Sequence, residues 1–256
     1  MKLGGRALKI FLGVAIVAFG LVRYCGSKEE NPYTGRTQAI GLSTEEEIAI
    51  GLQNAPIMAE QHGGLYPDQE LQDFVDQVGK KLVDHTIAHE TPYHYEFHLL
   101  RDPNTVNAFA LPGGQIFITY ALMERLDTED QLAGVLGHEI GHVVGKHSAE
   151  RIAQSELANT VASGAQVGAD AGMLASQIGQ TLLLKNGRGD ELESDDLGVR
   201  FMIEAGYNPE AMIEVMQILK AAGGGSQRVP EFQSSHPDPD NRIEKIQAAI
   251  EKYRAN

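Results

Sequence analysis

Cysteine is almost absent: Cys25 is the only one in 256 residues. A lone thiol forms no internal disulfide, and it excludes a cysteine-rich zinc module. Any metal must therefore be held by imidazole and carboxylate. Positive charge is also scarce. Lys and Arg number 21 against 35 Asp and Glu, a formal charge of −14. A general nucleic-acid binder needs clustered Lys and Arg to displace counterions, so no nucleic-acid partner is expected. Tryptophan is missing, but hydrophobic residues at 42% are enough for a sizeable core. The length suits one large domain, or one domain with helical elaborations.

The N-terminus carries a different signal. Lys2, Arg6 and Lys9 precede an uninterrupted apolar run from Ile10 to Val22, with no acid among residues 1–9. A basic start and a short apolar core have the shape of a secretory signal. The run is short for a membrane-spanning helix, which needs about 20 residues. Extending it from Ala7 to Cys25 reaches that length if Arg23 snorkels. The basic flank keeps the N-terminus cytoplasmic. Cys25 raises the question of lipidation, but Arg23-Tyr24 do not match the small residues a bacterial lipobox requires. A buried core helix is the alternative, disfavoured by the terminal position and the preceding charge. Residues 1–25 are read as a signal peptide or membrane anchor, 26–42 as a polar linker, and 43–256 as one exported domain.

Helices dominate that domain. Ser43 and Glu46 form a capping box for a helix to about Gln61. Leu71, Phe74, Val75, Val78 and Leu82 recur at helical spacing within a helix from Asp68 to about Val83. Strand character appears at His94–Leu100. It recurs at Asn107–Leu111 and Gln115–Thr119, on either side of the turn Pro112-Gly113-Gly114. Thr128 and Gln131 cap a helix expected to run to about Arg151. The stretch 152–184, rich in Ala, Gly, Ser and Gln, reads as a helical hairpin, with a lid over a cleft as the other reading. Further helices are expected over Glu191–Ala205, from Asn208-Pro209 to about Ala221, and over Asp240–Tyr253. Between the last two lies a long flexible loop, Gly223–Pro239. The class is α+β, mainly helical, with a small sheet.

His138 and His142 stand four residues apart on the helix that Thr128 begins, so both imidazoles share one face. Glu139, beside the first, is placed to take a proton from a water that the metal activates. Leu132, Val135, Leu136, Ile140 and Val143 bury this helix, and buried ionisable groups are costly unless used. Two imidazoles leave a catalytic zinc short of a third protein ligand. The candidate lies in Glu191-Leu192-Glu193-Ser194-Asp195. Glu191 and Asp195 share a helical face, and a carboxylate there can fix the tautomer of a ligating histidine. Glu193 is expected to point elsewhere, into solvent. Zinc, one ion per chain, is the preferred metal, although cobalt or manganese suits the same donors. His85 and His89 are also four apart, but no Glu follows His85, and Thr91-Pro92 closes the segment. His147 is expected to face away from the pair as a cap or surface residue. His62, His94 and His98 belong to no constellation.

Three segments carry a family likeness: Asn107 to Gly114, His138 to His142, and Glu191 to Asp195 followed by Gly198. Together, in this order, they resemble the exported, BepA-like branch of the HtpX and CaaX-protease-related zinc peptidases, over about Asn31 to Arg242. The resemblance implies a zincin-type metalloprotease domain of the gluzincin kind. It implies Glu191 as third metal ligand and Asp195 as the residue orienting a ligating histidine. Ser194 stands where the family usually has Ala, a minor departure. It also implies that Asn107, Ala108, Phe109 and Ala110 form an edge strand pairing with extended polypeptide substrate, with a purely structural hairpin as the other reading. In Ser235-His236-Pro237-Asp238-Pro239, the likeness implies His236 as a fourth ligand that holds the enzyme latent, or as an oxyanion stabiliser. A surface histidine in a proline turn is the alternative. Arg242 is expected to anchor that loop by an ion pair. The implied role is degradation of misfolded membrane or exported proteins at the bacterial envelope, in the periplasm, with membrane contact through the N-terminal segment. The competing reading is a periplasmic chaperone or assembly factor with a closed structural zinc.

Overall fold

The structure is a computed structural model that describes residues 5–165, 186–223, 232, 235–236 and 241–255. It is mainly helical with two small sheets, the α+β class read from the sequence. The chain falls into two compact units, Met1–Ser43 with Ser148–Leu184, and Thr44–His147 with Lys185–Asn256.

In the first unit, α1 (Gly5–Gly26) contains a stretch, Leu8–Gly26, long and apolar enough to cross a membrane. Its side chains Ile10, Phe11, Val14, Phe19 and Val22 are exposed. The segment read as a linker, residues 26–42, holds a strand pair. Strands β1 (Lys28–Glu30) and β2 (Thr37–Ala39) pair antiparallel across it. The buried Asn31 carboxamide accepts from the backbone N–H groups of Tyr33 and Thr34 and stabilises the turn. Helix α6 (His147–Ala165) begins at the boundary between the units. Within this unit its Glu150 pairs with Arg36 at 2.7 Å, and its Glu156 with Arg23 at 3.1 Å. The hairpin expected over 152–184 lies outside the described residues from 166 on.

In the second unit, α2 (Thr44–Gln61) and α3 (Gln69–Asp84) form where the sequence places helices. Asp68 accepts from the backbone of Glu70 and Leu71, which stabilises the first turn of α3. The apolar stripe of α3 buries Val75, Val78 and Leu82. A short 3-10 helix (Ile87–Glu90) leads to β3 (Glu96–Leu100). Strands β4 (Ala108–Ala110) and β5 (Gln115–Thr119) follow. The order is β3-β5-β4, with β3 parallel and β4 antiparallel to β5. The β4–β5 turn needs Gly113, at φ 81°. A Cβ there would meet Ile48 Cα of α2 at 2.6 Å. Strand β5 is wholly buried, whereas β4 is the sheet edge.

The short helix α4 (Tyr120–Met123) leads to α5 (Glu129–Val144), buried from Gln131 to its end. The Thr128 hydroxyl accepts from Gln131 N, and the Gln131 side chain accepts from Asp127 N. The helix stops well short of Arg151. Lys146 takes φ 53°, a left-handed conformation that breaks the helix, and its ammonium reaches buried Glu47 at 2.8 Å. Helix α5 packs chiefly on α7 (Arg188–Glu204) and also on α3 and on α8 (Ala211–Gly223). The closing helix is α9 (Arg242–Arg254). Of the long loop expected from 223 to 239, only Gly223 at the end of α8, Phe232, Ser235 and His236 are described.

Close approach of α5 and α7 depends on two glycines. A Cβ on Gly141 would lie 3.0 Å from Ser194 Cα. One on Gly198 would lie 3.1 Å from His138 N. The backbones meet where the ionisable groups are, so side chains from both helices converge.

Candidate metal centre

The convergence is tight. Nε2 of His138 and Nε2 of His142 lie 3.1 Å apart, with the rings edge to face. From α7, Glu191 Oε2 lies 3.4 Å from His138 Nε2, and Oε1 lies 3.4 Å from His142 Nε2. His236 Nδ1 is 3.3 Å from His138 Nε2 and 3.1 Å from Glu191 Oε1. One donor atom from each of these four buried residues lies within 4.8 Å of the others. Glu139 is fully buried, with Oε1 3.7 Å from His236 Nε2.

These donors fit one small cation. The two Nε2 atoms are too close for both to carry hydrogen, and Glu191 Oε2 has no hydrogen-bond partner among the described residues. A shared cation satisfies all three atoms, and imidazole with carboxylate is a set that zinc accepts.

The Glu191 and Asp195 carboxylates are held ionised. Burial pushes the Asp195 carboxyl up, but the Arg242 guanidinium and His138 outweigh it and hold it low. Burial likewise opposes ionisation of Glu191. His236, His138 and His142 outweigh it and hold that carboxyl well below the usual range. Burial lowers His142 well below an ordinary histidine. Burial also acts downward on His138, but the Asp195 and Glu191 carboxylates beside it prevail and raise it to about 9. A proton so held is one that a cation must displace to bind.

Asp195 Oδ1 lies 2.8 Å from His138 Nδ1. A carboxylate only accepts, so Nδ1–H donates, and loss of the second proton leaves the Nε2 lone pair facing the cluster. Arg242 anchors this carboxylate on α7. Asn107 is buried, and its carbonyl accepts from Thr119 N, setting β4 on β5. Ala108, Phe109 and Ala110 continue as the edge strand, and Phe109 stacks on Phe117 at 4.8 Å.

Two expectations fail. His147 does not face away; it is fully buried, with Nδ1 2.8 Å from His142 Nδ1. A continuous helix would place it about 140° from His142. The break at Lys146 turns it back. Glu193 does not point into solvent alone, since Oε2 lies 2.9 Å from His147 Nε2. Sequence reasoning also missed Phe232 and Asn186. The Phe232 ring stacks on His236 at 4.3 Å, and its N–H donates to Val106 O. Asn186 Nδ2 lies 3.1 Å from His236 Nδ1 and 3.3 Å from His142 Nε2. Neither residue belongs to a recognisable spacing.

The sequence profile of peptidase family M48 matches residues 69–250. This chain belongs to peptidase family M48. The M48 peptidase is similar to the mitochondrial metalloendopeptidase OMA1 of Schizosaccharomyces pombe. They are 32% identical over 241 residues, covering 91% of this chain and 69% of that one. It is also similar to the beta-barrel assembly-enhancing proteases of Yersinia pestis and Escherichia coli. Identity is 30% over 226 residues for the first, covering 83% of this chain and 45% of that one. It is 28% over 247 residues for the second, covering 90% and 49%. The chain spans about half the length of these two bacterial relatives. The resemblance drawn from three sequence segments is thus borne out. This M48 peptidase is a metalloendopeptidase with zinc as its cofactor.

Proposed function

We propose that this M48 peptidase cleaves exported or membrane polypeptides at the bacterial envelope, and that His236 holds it latent. The carrying observation is the buried convergence of His138, His142, Glu191 and His236 beside the Glu139 carboxylate. In this reading His138, His142 and Glu191 hold the zinc. Bound there, zinc supplies Lewis acidity, acidifying water and polarising a scissile carbonyl. Glu139 accepts the proton of the attacking water and delivers it to the leaving amine. Asp195 keeps His138 in the tautomer that leaves Nε2 free to ligate. Extended substrate pairs with the outer edge of β4.

The latency proposal has two supports. His236 Nδ1 sits among the ligand atoms, where a substrate carbonyl would approach. Phe232, four residues earlier, donates its N–H to Val106 O, just before β4. In this reading His236 would block substrate at the zinc, and Phe232 would cover the chain just before the substrate edge. Displaced, His236 can donate to the oxyanion. The envelope assignment rests on the apolar helix α1, as anchor or signal, and on the bacterial relatives. The domain division follows the same reading: 1–25 for targeting, 26–42 as connector, and 43–256 for catalysis.

A chaperone with a structural zinc is the second reading, favoured by four buried donors, the closed set typical of structural sites. Casein degradation by the full chain, with and without chelator, separates the two. The wild type should cleave slowly, His236→Ala faster, and Glu139→Gln not at all while retaining zinc. If every variant binds zinc and none cleaves, the closed-site reading stands instead.

A further inference from the structure

The two histidines of α5 are oriented by different means. His138 has a carboxylate directly behind it, whereas His142 has another imidazole. His147 Nδ1 lies 2.8 Å from His142 Nδ1, and Glu193 Oε2 lies 2.9 Å from His147 Nε2. We propose that Glu193 and His147 form a positioning relay that fixes His142 as its Nδ1–H tautomer, so that its Nε2 lone pair faces the metal.

Hydrogen-bond polarity carries the argument. His147 Nε2 faces two carboxylates, Glu193 at 2.9 Å and Asp190 at 3.9 Å. Both only accept, so Nε2 bears the hydrogen and donates to Glu193. For His142 Nε2 to ligate, its Nδ1 must donate, so His147 Nδ1 must present a lone pair to it. Two groups approach that lone pair, the Ser194 hydroxyl at 3.3 Å and His142 Nδ1 at 2.8 Å. Two bare lone pairs 2.8 Å apart would repel, so His142 Nδ1 carries hydrogen and donates. The other ring nitrogen of His142 is then a lone pair, 3.1 Å from its counterpart on His138. The reverse polarity would put a hydrogen on His142 Nε2, pointing into the cluster, where a cation could not be ligated.

The helix explains why an intermediate imidazole is needed. Glu191 and Asp195, four apart on α7, face α5 together, whereas Glu193 between them lies roughly 160° round the helix. Its carboxylate cannot reach His142 directly. His147, turned back by the break at Lys146 and fully buried, spans the gap. Three carboxylates of one segment then act together: Glu191 toward the metal, Asp195 on His138, and Glu193 on His142 through His147.

The relay rests on the reading that His142 ligates zinc. The test therefore starts with zinc stoichiometry and affinity of the full chain, by competition with a chromophoric chelator. Wild type is expected to hold one zinc and His142→Ala to lose it; if wild type binds none, the metal reading fails. His147→Phe keeps the ring's bulk but not its polarity, and should lower zinc affinity about 10–100-fold. His147→Gln can accept from His142 and donate to Glu193 with its two amide ends, and should recover most of the affinity. Glu193→Leu should fall between the two. Melting temperatures of the zinc-free proteins should match wild type for His147→Gln. In two-bond 1H–15N spectra of histidine-labelled zinc protein, His142 should carry its hydrogen on Nδ1. Wild-type affinity in His147→Phe would overturn the relay while leaving the metal reading intact. So would an affinity loss that tracks zinc-free stability and that Gln does not recover.

Discussion

Arg242 grips Asp195 with two hydrogen bonds, Nε to Oδ2 at 2.6 Å and Nη2 to Oδ1 at 2.9 Å, and both side chains are buried. The guanidinium also lies 3.4 Å from Glu191 Oε2. One cation from α9 thus compensates two carboxylates of α7 behind the cluster. Removing one partner of a buried pair leaves the other charge uncompensated. Arg242→Ala should therefore lower folding stability by about 3–5 kcal/mol. Arg242→Lys should recover only part, because an ammonium lacks the two-pronged fork. Urea unfolding of the zinc-loaded chain reads both.

The α5–α7 crossing should tolerate no side chain at Gly198. Gly198→Val drives methyl groups toward the backbone at His138 and Gly137. Overpacking of that kind costs about 1–3 kcal/mol, and here it also displaces Glu191 and Asp195 from the histidines. Thermal unfolding and zinc affinity should fall together. Gly189→Ala, in the same helix with open space around it, serves as the control and should leave both unchanged or slightly raise stability.

Phe232 should restrain His236. The ring stacks on the imidazole with 17° between planes. Stacked aromatic pairs are worth about 0.5–1.5 kcal/mol. Under the latency proposal, Phe232→Ala should raise casein cleavage about two- to twelvefold at unchanged zinc content. A fall in cleavage would mean that the segment assists catalysis instead of blocking it.

Asp102 gives an acid-side signature away from the metal. Burial pushes its carboxyl up. The Thr105 hydroxyl, the backbone N–H groups of Asn104 and Thr105, and His62 outweigh this and hold it at about 2. An unfolded chain titrates Asp near roughly 3.9, so between the two values the unfolded state binds more protons. Asp102 thus contributes stability that is present above about pH 4 and lost as pH falls toward 2. Asp102→Asn should be less stable at pH 6 and show a shallower decline through that window in acid-unfolding curves.

Much of the fold was legible because it is locally encoded. Thr128 and Gln131 announced α5, Asp68 lay at the start of α3, and Pro112-Gly113-Gly114 marked the β4–β5 turn. Each signal acts within a few residues. The two strands in the presumed linker were hidden, because the pairing of Lys28–Glu30 with Thr37–Ala39 has no apolar alternation to reveal it. The extension of α5 to Arg151 failed at Lys146, whose left-handed backbone is accompanied by an ion pair to Glu47, 99 residues away.

The sequence by itself determined which side chains share a helical face: His138 with His142, and Glu191 with Asp195. Helical spacing is a local property of the backbone, so these pairings need no knowledge of the rest of the chain. Only the tertiary structure decided that the two faces meet, through the contact of Gly141 and Gly198 with the opposing backbone. It also turned His147 behind His142, brought Glu193 to His147, and set His236 and Phe232 over the cluster. Those relations depend on where a helix breaks and on which distant segments pack together, and buried charge and backbone clearance select them only in the folded protein.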